Sequence, residues 1–209
     1  MKITFLKHIL VLASAAGLFL AGAPLAHATV IVAAPSITAS PGTFGNFDVT
    51  LSNTGPSAIQ IAGFAFSITT TNSAITFTAV SISTAAPYVF AGHSLFGPTI
   101  DLGPGTTSTL EATDNYDIPN ANVTIASGTT VGLGHISYSI ASTATLGNFA
   151  ITLGAFPVTS LSDALGNNVT INKLIPGSIS IVPEPGTMLL FPAALGMMFM
   201  LRQKNFGVR

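Results

Sequence analysis

Along the middle of the chain, apolar and hydroxyl-bearing residues alternate with a period of two. Phe47, Val49 and Leu51 interleave with Asp48, Thr50 and Ser52, and Phe64, Phe66 and Ile68 interleave with Ala65, Ser67 and Thr69. The same pattern recurs at Ile136, Tyr138 and Ile140, at Phe149, Ile151 and Leu153, and at Ile179 and Ile181. Such alternation puts one face of each strand in a core and leaves the other wet. Turn residues punctuate it at Ser40-Pro41-Gly42, Asn53-Thr54-Gly55-Pro56, Gly103-Pro104-Gly105, Ala126-Ser127-Gly128 and Gly166-Asn167-Asn168. With no convincing amphipathic helix, the expectation is an all-β chain folded as a single β-sandwich over residues 29–182. Residues 85–123 are the least regular and are expected to carry the longest loops.

The two ends read differently. Residues 1–28 have the form of a signal peptide helix: Lys2 and Lys7, an apolar run from Ile9 to Leu20, and the small residues Ala26 and Ala28 as a signal-peptidase site. The mature chain is expected to begin at Thr29. Residues 183–209 carry Pro183-Glu184-Pro185, an apolar stretch over 187–201, and the basic Arg202, Lys204 and Arg209. As a helix that stretch spans roughly 22 Å against a hydrocarbon core of about 30 Å, so it makes a short transmembrane anchor. The basic residues would stay cytoplasmic and hold Pro-Glu-Pro on the exported side.

This three-part ending resembles the PEP-CTERM sorting signal of Gram-negative bacteria that make extracellular polysaccharide. The resemblance implies that Pro183, Glu184 and Pro185 are recognised by exosortase, a membrane peptidase that removes the tail. It also implies transient anchoring in the inner membrane, then a cell-surface or extracellular location. Between the ends, the run Gly45 to Asn53, then Ile61 to Ile68, Gly132 to Ile140, Thr145 to Leu153, Asp163 to Asn167 and Gly177 to Val182 is similar to the cohesin-like β-sandwich, a jelly-roll relative of carbohydrate-binding modules. That likeness implies the fold more than any particular partner.

Composition narrows the chemistry. Charged residues are 6% of the chain, against about 25% in ordinary soluble domains. Within 29–182, Lys173 is the one cation facing Asp48, Asp101, Glu111, Asp114, Asp117 and Asp163. Such a surface disfavours nucleic acid and other polyanions and suits a neutral glycan or another surface protein. The absence of Cys removes disulfides, thiolate catalysis and thiolate metal sites.

The candidate sites are sparse. Glu111, Asp114 and Asp117, with Asn115, Asn120 and Asn122, form an oxygen-rich segment whose acids are candidate Ca²⁺ ligands, although the spacing is not that of an EF-hand; a solvated acidic loop is the simpler reading, and no metal or cofactor is expected. Asp163, Gly166 and Asn167 read as turn chemistry. His93 and His135 stand apart with no metal-binding spacing, and Gly92-His93-Ser94-Leu95-Phe96 lacks the closing glycine of a nucleophile elbow. Tyr88, Phe90, Phe96 and Tyr116 are candidates for a sugar-stacking platform. The reading that follows is a non-catalytic envelope or matrix protein, with a carbohydrate-binding adhesin or biofilm module as alternative and a secreted hydrolase as the less favoured one.

Overall fold

Alternation buries the apolar side of each strand, and two sheets close on one another through those sides. The computed structural model describes residues 28–95, 97–101 and 108–184. One sheet runs, in spatial order, β14 (Lys173–Ile175), β1 (Val30–Ala33), β3 (Phe44–Asn53), β10 (Thr130–Ile140) and β6 (Ile75–Ser81). The other is centred on β5 (Gly63–Thr70), which pairs on one side with β8 (Thr109–Asn115) and on the other with β11 (Gly147–Leu153) and β12 (Ser160–Ser162). It extends through β7 (Thr99–Asp101) beyond β8, β13 (Asn168–Val169) beyond β12, and β15 (Gly177–Ile181) and β2 (Ser36–Ala39) beyond β11. A two-stranded ribbon, β4 (Ile59–Ile61) with β9 (Val123–Ile125), lies outside both.

The core is the set the alternation marked out. Val49, Leu51, Phe66, Ile68, Ile136, Ile151 and Ile179 are all buried between the sheets. Phe47 packs edge-on against Phe77 and lies beside Tyr138, with ring centres 6.2 and 6.0 Å apart.

Two strands change sheets together. β1 ends at Ala33 and β2 resumes in the opposite sheet at Ser36, while β14 ends at Ile175 and β15 resumes at Gly177. Pro35 and Pro176 sit at these crossings, where a residue without an N–H gives up no ladder bond. The pairs β1–β14 and β2–β15 are both parallel. The chain therefore enters at one end of the sandwich and leaves at the other, beyond Ile181 paired with Ala39.

The irregular stretch is more ordered than expected. Its second half contains β8, where Leu110, Ala112 and Asp114 point inward and Glu111, Thr113 and Asn115 outward. An acid at an inward position disguised the strand. Among the described residues no helix is long and apolar enough to cross a membrane. The expected signal peptide helix, including Ala26, and the tail from Pro185 through 187–201 to Arg202, Lys204 and Arg209 lie outside the described residues, as does Phe96.

Candidate functional site

The end of the sandwich where the chain enters is closed by the segment 82–95 and by the chain that continues β8. Val89 N–H donates to Gly132 O at 2.9 Å, and Gly132 N–H donates to Pro87 O at 2.9 Å, which ties the segment to β10. Leu95 N–H donates to Asn115 O at 2.9 Å and Asp117 N–H to His93 O at 2.8 Å, so residues 93–95 form a short ladder with 115–117. Asn53 supports this end from below: its amide donates to Ser57 O and Ile125 O at 2.8 and 3.1 Å.

The ladder hangs Ser94 over Asp114, which is only 3% exposed. Asp114 Oδ2 accepts the Ser94 hydroxyl at 2.5 Å and the Tyr88 hydroxyl at 2.6 Å, while Oδ1 accepts the Asn115 N–H at 2.8 Å. A buried carboxylate is tolerable only when its oxygens are satisfied in this way. Burial, and then the Asp114 carboxylate, hold the Tyr88 phenol well above its ordinary pKa. Ser94 Oγ also accepts the Gly97 N–H at 2.8 Å, so its hydroxyl is engaged as donor and acceptor.

Two His–Asp pairs fasten the same segment at its ends. On β3 and β10, Asp48 and His135 stand opposite one another with Nδ1 to Oδ1 at 2.6 Å, and Asp48 Oδ2 accepts the Ala85 N–H at 2.7 Å. At the other end His93 Nδ1 lies 3.1 Å from Asp117 Oδ1. Thus Asp48, Asp114 and Asp117 each hold one part of a single covering segment. His93 faces Asp117, and the Ser94 hydroxyl faces Asp114; a nucleophilic serine needs its base on the hydroxyl.

A column of rings runs from the core to this end. Phe66 stacks on Phe64 at 6.0 Å, Phe64 on Phe90 at 5.7 Å, Phe90 lies 5.8 Å from Tyr116, and Tyr116 meets the His93 ring edge-on at 5.4 Å. This corrects the sugar-platform expectation for Tyr88 and Phe90, which are 6% and 1% exposed because both fill the space under the covering segment. Tyr116 is half-buried and reaches the surface beside exposed His93, Leu95, Asp117 and Ile118.

The acidic candidates separate as well. Glu111 points outward from β8 and Asp114 inward, while Asp117 lies beyond the strand against His93. The picture of one solvated acidic loop is therefore corrected, and among the described residues no group of three or more metal-binding side chains converges. Asp163 does organise a turn: Oδ1 accepts the Leu165 and Asn167 N–H groups at 2.9 and 2.8 Å, and Oδ2 accepts the Asn167 amide at 2.9 Å. Those bonds, foremost that from the Asn167 side chain, lower the pKa of this exposed acid, and Gly166 closes the turn at φ 80°.

Ala28 packs against the core at the entering end. At the leaving end Val182 N–H makes the last pairing, to Ala39 O at 2.9 Å, after which Pro183 is half-buried and Glu184 exposed. Two shallow clefts of about 230 and 320 Å³ share Thr170 at the open edge between β13 and β14, and no ionisable side chain lines either.

Sequence reasoning did not single out Asp48, nor pair Tyr88 and Ser94 with Asp114. The available signal was the position of Asp114, in step with Leu110 and Ala112.

No protein family and no curated protein matches the chain by sequence. Solved structures do match it by shape. A chain of a CaDoc0917–CaCohA2 complex, crystallised at pH 5.5, is similar with a TM-score of 0.57 at 19% identity, over 74% of this chain and 100% of that one. A non-cellulosomal cohesin from the hyperthermophilic archaeon Archaeoglobus fulgidus gives 0.53 at 15%, over 77% and 96%. The Coh-OlpA–Doc918 type I cohesin–dockerin complex from Clostridium thermocellum gives 0.55 at 14%, over 74% and 99%. What these share with the chain is the fold: it is a cohesin-like β-sandwich.

Proposed function

We propose that this chain is a non-catalytic, exported interaction module that presents one end of its sandwich to a protein partner. The observation that carries this reading is the exposed cluster of His93, Leu95, Asp117 and Ile118 at the end opposite the departing C-terminal segment. An apolar pair beside a carboxylate, on a span with one cation among six acids, is complementary to a protein segment carrying apolar and cationic side chains. The cohesin–dockerin complexes among the similar structures make a protein partner the natural choice.

The ends of the chain give the module its address. The signal peptide exports it, signal peptidase cuts after Ala28, and the Pro183-Glu184-Pro185 tag is held at the inner membrane until exosortase removes the tail. Two features support that sequence of events. β1 begins at Val30, so cleavage after Ala28 leaves every strand whole, and Glu184 is exposed beyond the last strand pairing. The released product then resides at the cell surface or outside the cell.

Intact-mass analysis of the protein from its native host tests the address: a chain from Thr29 to within 183–186 is expected, and a mature pool ending at Arg209 overturns removal of the tail. Binding of the full chain to the host's surface proteins tests the activity. Saturable binding lost in Leu95→Asp and Ile118→Asp, with the fold intact, is expected; binding unchanged in both variants, or binding to exopolysaccharide alone, overturns it.

A further inference from the structure

The two ends of the sandwich differ in charge. The connections 40–43, 71–74 and 141–146 at the leaving end contain no ionisable residue. The acids that approach this end are Asp101 and Glu111, paired where β7 and β8 turn towards it, and Glu184 on the departing segment. Yet this end exposes large apolar side chains. Phe44 is 84% and Leu146 55% exposed, and Val182 is exposed beside them on the departing segment. Phe44 pairs with Ser139 at the rim of one sheet, and Leu146 precedes Gly147, which pairs with Ile181 at the rim of the other. The two connections they flank meet: Gly42 N–H donates to Ile140 O at 3.1 Å, and a side chain at Gly42 would stand 3.6 Å from Ser142 Cβ.

Chain length sets what can cover this end. From Glu184 to the apolar stretch beginning at Thr187, the backbone reaches at most about 10 Å. We infer that the leaving end is a lipid-facing surface, with Phe44 and Leu146 seated in the headgroup layer while the tail is anchored; this rests on the membrane-held tail proposed above. Connections without an ionisable residue cost little to desolvate, and aromatic and aliphatic side chains favour the interface. The contact stands the sandwich on end, so that His93, Leu95, Asp117 and Ile118 face away from the bilayer.

The chain has no Trp, which makes single-Trp variants clean reporters. Full-length Phe44→Trp, Leu146→Trp, Leu165→Trp and Phe199→Trp are reconstituted in vesicles containing brominated phospholipid. The first two substitutions are on exposed side chains, and Leu165 is exposed in the turn at the entering end. Blue-shifted, quenched emission is expected at 44, 146 and 199, with unquenched emission at 165. Quenching at 199 but not at 44 and 146 overturns the lipid-facing end and leaves the anchored tail standing. Quenching at 165 overturns the end-on orientation. No quenching at 199 overturns the anchored tail, and the lipid contact with it.

Discussion

The carbonyl of Pro35 lies directly over Gly177. It accepts the Ser178 N–H at 3.2 Å, and a methyl group built on Gly177 would overlap its oxygen and the backbone behind it. Here the two strands that change sheets touch at their crossing, Ala34 N–H having donated to Ile175 O at 3.0 Å just before. A backbone atom cannot swing aside as a side chain does, so the closeness of this crossing depends on the missing Cβ.

Gly177→Ala is accordingly expected to lose about 1–3 kcal/mol of stability through overpacking, whereas Thr152→Ala, on the outward face of β11, should stay within about 0.5 kcal/mol. Urea titration of the two variants beside the parent measures the difference. Equal midpoints would mean that the crossing can open without cost.

Tyr88→Phe removes a donor from a buried carboxylate and should cost about 1–3 kcal/mol at neutral pH. The alkaline behaviour carries a sign. The folded phenol keeps its proton above its ordinary pKa, so its contribution is intact below about pH 10 and is lost as the unfolded phenol ionises above it. Urea midpoints from pH 8 to 11 should fall faster for the parent than for Tyr88→Phe; parallel curves would count against a buried, carboxylate-bound phenol.

At the opposite extreme of pH, Asp163 has a lowered pKa because its turn hydrogen bonds favour the charged form. Its contribution is present above the ordinary carboxylate pKa of about 4 and is lost as the pH falls through the depressed folded value. Thermal unfolding of Asp163→Ala should lie below the parent at pH 7, and the gap should close in acid. A gap independent of pH would assign the effect to turn geometry alone.

Asp48→Ala releases the Ala85 N–H and the His135 ring together. Hydrogen exchange by mass spectrometry should then accelerate across residues 82–95, while a buried strand such as β5 keeps its protection. Acceleration spread evenly through the sandwich would mean that Asp48 supports the whole fold and not one covering segment.

By itself the sequence determined which residues face inward on β3, β5, β10, β11 and β15, because a strand's side chains alternate whatever its neighbours are. It also carried the hydroxyl-covered, acid-biased surface and the Asp163 turn, which depend on residues close in the chain. β8 was hidden because inward Asp114 broke the apolar pattern, and its burial makes sense only once Tyr88 and Ser94, distant in sequence, arrive to donate to it. The same holds for Tyr88 and Phe90, whose residue types suit a surface platform as well as a core. Only the tertiary structure decided that β1–β2 and β14–β15 cross between sheets side by side, sending the chain out at the far end. Alternation is a local property of each strand, whereas the choice of partner and the position of each chain end are set by packing between segments that lie far apart in the sequence.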